Sequence, residues 1–96
     1  MQDLRVLATQ IEAAPTMKGI LIKEHERGVL TVAVPAVGLT AGDVGTVVHV
    51  YAEKRAYEVE FLTLTGRTAA VVKLEAAHVR PVGRREITHA RELEVA

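Results

Sequence analysis

The chain has 96 residues, of which 49% are hydrophobic, and its twelve Lys and Arg residues balance its twelve Asp and Glu residues. This length fits one domain with a modest core, and the zero net charge argues against broad attraction to nucleic acids or anionic membranes. The absence of cysteine and serine excludes disulfides, thiol catalysis, cysteine-ligated zinc and a serine nucleophile.

The first segment, residues 1–19, is predicted to be a helical extension followed by a linker. Residues 3–14 place Leu4, Leu7 and Ile11 at helical spacing. A helix this short is marginal in water and needs a surface to pack against. No apolar run is long enough for a signal peptide or a membrane span, so we expect a cytoplasmic protein.

A β domain is predicted over residues 20–83, where the hydrophobic period changes to two. Its first strand is "RGVLTVAVP", which ends at Pro35 because proline cannot donate to a ladder. In the following loop, "AVGLTAGD", the glycines can adopt positive φ and Asp43 can bond downstream amides. Because a strand and not a helix follows, we interpret "AGDVG" as a structural corner and not a phosphate-binding loop.

Two hairpins are predicted from the runs "TVVHVY", "YEVEFL" and "TAAVVKL". A four-residue loop at residues 52–55 joins the first two runs, and a two-residue turn at Thr65 and Gly66 joins the last two. The loop pairs Val48 with Val59, Val50 with Tyr57 and His49 with Glu58, and the turn pairs Phe61 with Ala70, Val59 with Val72 and Tyr57 with Leu74. Both registers predict the same core face, which a slip of one residue would turn outward.

The end of the β domain is predicted to be a helical turn and a short strand. "LEAAH" is too short for a full helix, and Pro81 in "VRPV" marks an edge strand. Residues 84–96 are expected to form either a short C-terminal helix or a tail. Five strands with this spacing predict a mainly β fold, a small and strongly bent barrel of the Src-homology-3-like type.

The ordered motifs "GDVGTVV", "YEVEF" and "VRPV" resemble those of a small bacterial family of unknown function. The resemblance covers about residues 22–82, and "REITHAREL" is similar to the tail of some members. It implies a compact β-barrel domain, often encoded among accessory or toxin-and-partner-like genes, with no established catalytic residues to carry over. The sequence departs from the family pattern at Gly28, where a β-branched residue is usual.

Few residues could carry chemistry. The four histidines show no helical pairing, so we expect neither a metal site nor a cofactor. Glu58 and Glu60 project from one open strand face, where nothing would desolvate them for acid–base catalysis, and we therefore expect no enzyme. His49, Glu58 and Lys73 predict an exposed charge ladder across three strands.

Two surfaces are candidates for binding. Val47, Tyr51, Leu62, Ala69 and Val71 fall on the face predicted to point outward, together with His49, where a monomer should be polar. This face could be covered by a terminal helix, a second copy of the chain or another bacterial protein. The sequence therefore predicts a non-catalytic interaction or accessory module that self-associates or binds a protein encoded nearby.

The alternative is a nucleic-acid-binding barrel that uses the basic cluster of Arg80, Arg84 and Arg85. These residues could contact phosphates, but with three aromatic residues in the chain, and Tyr57 and Phe61 assigned to the core, a stacking platform is missing. Binding to nucleic acid is the less favoured hypothesis.

Overall fold

The computed structural model describes residues 21–93, which form one antiparallel sheet with the strand order β4-β3-β2-β1-β5. The strands are β1 (Arg27–Leu30), β2 (Val44–Val50), β3 (Ala56–Leu62), β4 (Thr68–Glu75) and β5 (Val79–Pro81). The sheet is not closed, and β4 and β5 form its edges. The predictions of a mainly β fold with five strands and of Pro81 in an edge strand are confirmed.

Three short 3-10 turns connect the strands, at Pro35–Val37, Ala52–Lys54 and Ala76–His78. The last of these is the helical turn predicted from "LEAAH". The predicted N-terminal helix lies outside the described residues. Residues 84–93 contain no helix, so of the two predictions for this part of the chain the helix is wrong: after a turn at residues 84–85 the segment has no regular secondary structure.

The core lies on one face of the sheet and is continued by residues that precede β1 and follow it. Tyr57, Val59 and Phe61 alternate along β3, and Val47 faces them from β2. The buried apolar residues that pack together are Ile22, Leu30, Leu39, Val47, Tyr57, Val59, Phe61, Leu74 and Val79. Their burial is the main favourable contribution to the free energy of folding.

The predicted register is correct for most of both hairpins and wrong at one point in each. Glu58 pairs with Lys73 and Phe61 with Ala70, as predicted. The turn between β3 and β4 has three residues rather than two, because Gly66 adopts φ 93° and its N–H bonds the Thr63 carbonyl. The register then shifts by one residue between Phe61 and Leu62.

The other error lies in β2, where a bulge at Val48 interrupts the ladder. His49 pairs with Glu58 as predicted, but Val47, not Val48, is opposite Val59. A bulge puts one extra residue into one strand, so the side chains before it point to the opposite sheet face from the one that the uninterrupted register predicts. Val47 is therefore fully buried, and the prediction that it points outward is wrong.

Strand β1 is shorter than predicted, because it ends at Leu30 and not at Pro35. Beyond Leu30 the chain leaves β2: the Val34 N–H bonds the Leu39 carbonyl in a small local bridge. Gly38, at φ 77°, closes the 3-10 turn between them. This excursion brings Leu39 back into the core beside the corner that starts β2.

Candidate interaction groove

The corner "TAGD" before β2 is a tight turn tied to β1 by its backbone. The Asp43 N–H donates to the Thr40 carbonyl at 3.1 Å, and Gly42 adopts φ 98° at the third position. The Leu30 N–H donates to the Asp43 carbonyl at 2.8 Å. The Asp43 carboxylate accepts from the upstream Thr40 N–H at 2.8 Å, so the predicted downstream amide partners are wrong.

Asp43 also holds the C-terminal segment, residues 83–93, which we call the strap. Arg91 donates from Nε to Oδ1 at 2.9 Å and from Nη2 to Oδ2 at 2.5 Å, and Nη2 also donates to the Gly38 carbonyl at 3.0 Å. Partial burial alone raises the pKa of Asp43, but the hydrogen bonds from Arg91 and Thr40 and the Arg91 charge outweigh it and lower that pKa overall. The carboxylate is therefore ionised at neutral pH.

A second arginine–carboxylate pair fixes the root of the strap. Arg80 on β5 binds Glu86 with two parallel hydrogen bonds of 2.9 and 2.6 Å, and the Gly83 N–H donates to Glu86 Oε1 at 2.6 Å. The hydrogen bonds from Arg80 and Gly83 lower the pKa of Glu86 to about 2. Bidentate geometry of this kind is specific to arginine and carboxylate.

Side chains alone attach the strap to the sheet within the described residues. The one backbone hydrogen bond of the strap in this part of the chain joins the Glu86 N–H to the Gly83 carbonyl inside the strap itself. Leu93 packs against the core at the far end. Between the two arginine pairs, Ile87 is 92% exposed. Detachment of the strap would therefore break no ladder hydrogen bond.

A groove of about 710 Å³ lies between the strap, the corner and the β3–β4 turn. Eight large hydrophobic side chains are exposed among the described residues, and four of them line this groove. These four are Val44, Leu62, Leu64 and Ile87. Exposed apolar side chains gathered on a concave surface are a common feature of binding sites.

The structure brings two of the predicted apolar interaction residues, Leu62 and Ala69, into the groove. Leu62 is 47% exposed and Val71 is 50% exposed, but Val71 lies opposite Glu60 on the outer sheet face. The sequence interpretation missed Leu64 and Ile87. A leucine at a hairpin tip cannot reach the core, so the position of Leu64 was an available signal.

The outer sheet face carries a polar cluster around Tyr51. The Tyr51 hydroxyl donates to Glu58 Oε1 at 3.0 Å, and this bond raises the pKa of Tyr51. His49 packs edge-on to the Tyr51 ring, with centroids 4.6 Å apart, and Lys73 Nζ lies 4.5 Å from the ring centroid. The predicted ladder of His49, Glu58 and Lys73 thus has the predicted pairings with Tyr51 at its centre.

The three arginines of the predicted basic cluster do not act together in the structure. Arg80 is engaged with Glu86, whereas Arg84 and Arg85 are exposed at the turn that follows β5. Within residues 21–93, no three His, Asp or Glu side chains are placed to hold a metal ion. No helix in that part of the chain is both long and apolar enough to cross a membrane.

The fold and the groove define a small, mainly β domain with an apolar surface at one end of its sheet. The chain belongs to the family described as a domain of unknown function (DUF4926), whose model matches residues 24–81. The resemblance to a family of unknown function is thereby confirmed at that level. The strap lies beyond the matched residues. No curated protein and no solved structure matches the chain.

Proposed function

We propose that this protein is a non-catalytic interaction module that binds a protein partner through the groove. The observation that carries the proposal is the convergence of Val44, Leu62, Leu64 and Ile87 on one concave surface. The partner is a second copy of the chain or another protein of the source cell, which the sequence resemblance predicts to be a bacterium. The cytoplasmic location stays a prediction from the sequence.

The strand order and the charges at the groove support this role. The strand order β4-β3-β2-β1-β5, with a 3-10 turn before the last strand, supports assignment to the Src-homology-3-like small barrels. Two charged groups that line the groove, Asp43 and Arg91, neutralise each other. Glu58 is hydrogen-bonded to Tyr51 on a separate face and does not line the groove.

Self-association is the first form of this function to test, because the zero net charge provides little repulsion between copies. Sedimentation equilibrium of the full chain over a wide concentration range measures it. Association that persists in moderate salt is expected, since apolar contacts are not screened. A strict monomer, together with no specific retention of any protein from the source cell, would contradict the proposal.

The nucleic-acid alternative rests on Arg84 and Arg85, because Arg80 is bound to Glu86. Two exposed arginines on a neutral chain are a weak phosphate-binding surface. Titration of mixed oligonucleotides into the full chain at low salt decides between the hypotheses. Measurable affinity that is lost on Arg84→Glu and falls with salt would favour this alternative over the interaction module.

A further inference from the structure

The strap contacts the corner through residues that are far apart in the sequence, as a separate peptide would. Its anchor, Arg91, contacts Asp43 and Gly38, which lie 48 and 53 positions away in the sequence. The root of the strap is held separately, because Arg80 and Glu86 are only six positions apart. Nothing in the far contacts requires that the strap and the corner belong to the same chain.

Few contacts hold the part of the strap between its root and its anchor to the sheet. Ile87, Thr88, His89 and Ala90 are all exposed, and no backbone hydrogen bond ties them to the sheet in the described part of the chain. Extended segments with such hinges are the elements that exchange between protomers in swapped dimers. The exchanged contacts would be identical to those within one chain, so their enthalpic cost is small.

The acceptor atoms of the corner determine which side chain can bind there. Asp43 offers two carboxylate oxygens and Gly38 one carbonyl oxygen, an arrangement that fits a planar guanidinium. Two residues beyond Arg91, the apolar Leu93 reaches the core cluster. A ligand must therefore carry an arginine two residues before a large apolar side chain, and the chain itself supplies that sequence.

An apolar space lies under the strap and needs the strap, from the same chain or from a second one, as its cover. Val29 faces away from the main core, because its neighbours Gly28 and Leu30 face toward it, yet Val29 is only 3% exposed. It lines a cavity of about 150 Å³ that Ile87 and Thr88 help to enclose. When a strap swings out, this apolar site needs a replacement cover, which a second strap provides.

We propose that the corner is a docking site for the strap of a second copy, with Arg91 of each chain bound to Asp43 of the other. This inference deepens the proposed function, because it names the partner and the segment that binds. It uses the corner and the strap, whereas the proposed function depends on the apolar walls of the groove. The two can therefore fail separately.

Charge reversal at the two anchors tests the exchange. In the Asp43→Arg chain two arginines face each other, and in the Arg91→Asp chain two aspartates do, so neither variant can close its own strap. When the two are mixed, each strap finds the opposite charge on the other chain. Native mass spectrometry distinguishes the heterodimer from either homodimer by mass. We expect heterodimers in the mixture in clear excess over the homodimers in either separate sample.

A mixture in which heterodimers are no more abundant than homodimers would overturn the exchange. The control is the double variant Asp43→Arg with Arg91→Asp in one chain, which restores the pair within the chain and is expected not to form heterodimers with either single variant preferentially. If the Asp43→Arg variant does not fold, a synthetic peptide of residues 87–93 is added to the full-length Arg91→Asp chain. Amide shift changes at Gly38 and Asp43 support the docking site, and their absence overturns it. If no exchange occurs but substitutions in the groove still weaken association, the proposed function stands and only the exchange is excluded.

Discussion

Gly28 on β1 and Gly45 on β2 lie directly opposite each other in the antiparallel ladder. A Cβ atom at Gly45 would lie 2.6 Å from Val59 Cγ1 and 2.8 Å from the Glu60 carbonyl oxygen. At Gly28 it would lie 2.5 Å from Val79 Cγ1. The two glycines therefore let the sheet fold closely over its own core.

Replacement of Gly45 by alanine is expected to destabilise the protein by about 1 to 3 kcal/mol, because backbone and core atoms must shift to make room. Chemical denaturation measures the change in the free energy of unfolding. Glu60→Ala is the control on the adjacent strand: it removes one exposed bond to Thr68 and should cost no more than about 0.5 kcal/mol. Equal small effects would mean that Gly45 is not in close contact with β3.

The pair of Asp43 and Arg91 should be energetically coupled. Its side chains are partly buried, with 19% and 32% exposed respectively, and Asp43 also accepts the Thr40 N–H. A double-mutant cycle with Asp43→Ala and Arg91→Ala is expected to give a coupling of about 0.5 to 1.5 kcal/mol. Asp43→Ala should be the more harmful single change. Additive effects would show that the strap does not rest on the corner.

The root of the strap should respond to acid in a defined direction. The pKa of Glu86 is about 2 in the folded chain, below its ordinary value of 4.5. A carboxylate with a lowered pKa stabilises the fold above its ordinary value, and that contribution is lost as the pH falls from 4.5 toward 2. Carboxyl carbon NMR of Glu86 measures the titration. In the Arg80→Ala variant the midpoint should move upward, and an unchanged midpoint would exclude Arg80 as the cause.

The loop between β2 and β3 contains two non-glycine residues with positive φ, Glu53 at 61° and Lys54 at 56°. Glycine has no steric penalty in this conformation, so Lys54→Gly is expected to raise the free energy of unfolding by up to about 1 kcal/mol. Arg55→Gly is the matched control, since Arg55 has φ −86° and gains nothing from glycine. Thermal unfolding compares the two. A stabilisation by Arg55→Gly alone would contradict the loop geometry.

Alternation and turn spacing were sufficient to predict the five strands and most of the register. They could not place the bulge at Val48, because "VVHV" is equally apolar in either register and only packing against Val59 decides which valine is buried. The strap was unpredictable for a different reason. Its contacts join Arg91 to Asp43 across 48 positions, and neither local pattern nor propensity carries that information. Ile87 on the strap was therefore missed, while Leu62 was found and Leu64 was missed although its position at the hairpin tip was an available signal.

The groove is the central claim, and Leu64 tests it most directly because this side chain is 78% exposed and lies on the groove wall. Leu64→Lys places a charge in the groove, whereas Thr65→Lys adds the same charge to the neighbouring turn residue, which does not line it. Both chains should fold normally. Sedimentation equilibrium is expected to show association of the wild-type chain and the Thr65→Lys chain and its loss in the Leu64→Lys chain. Equal association of all three chains would contradict the claim that this groove is the interaction surface.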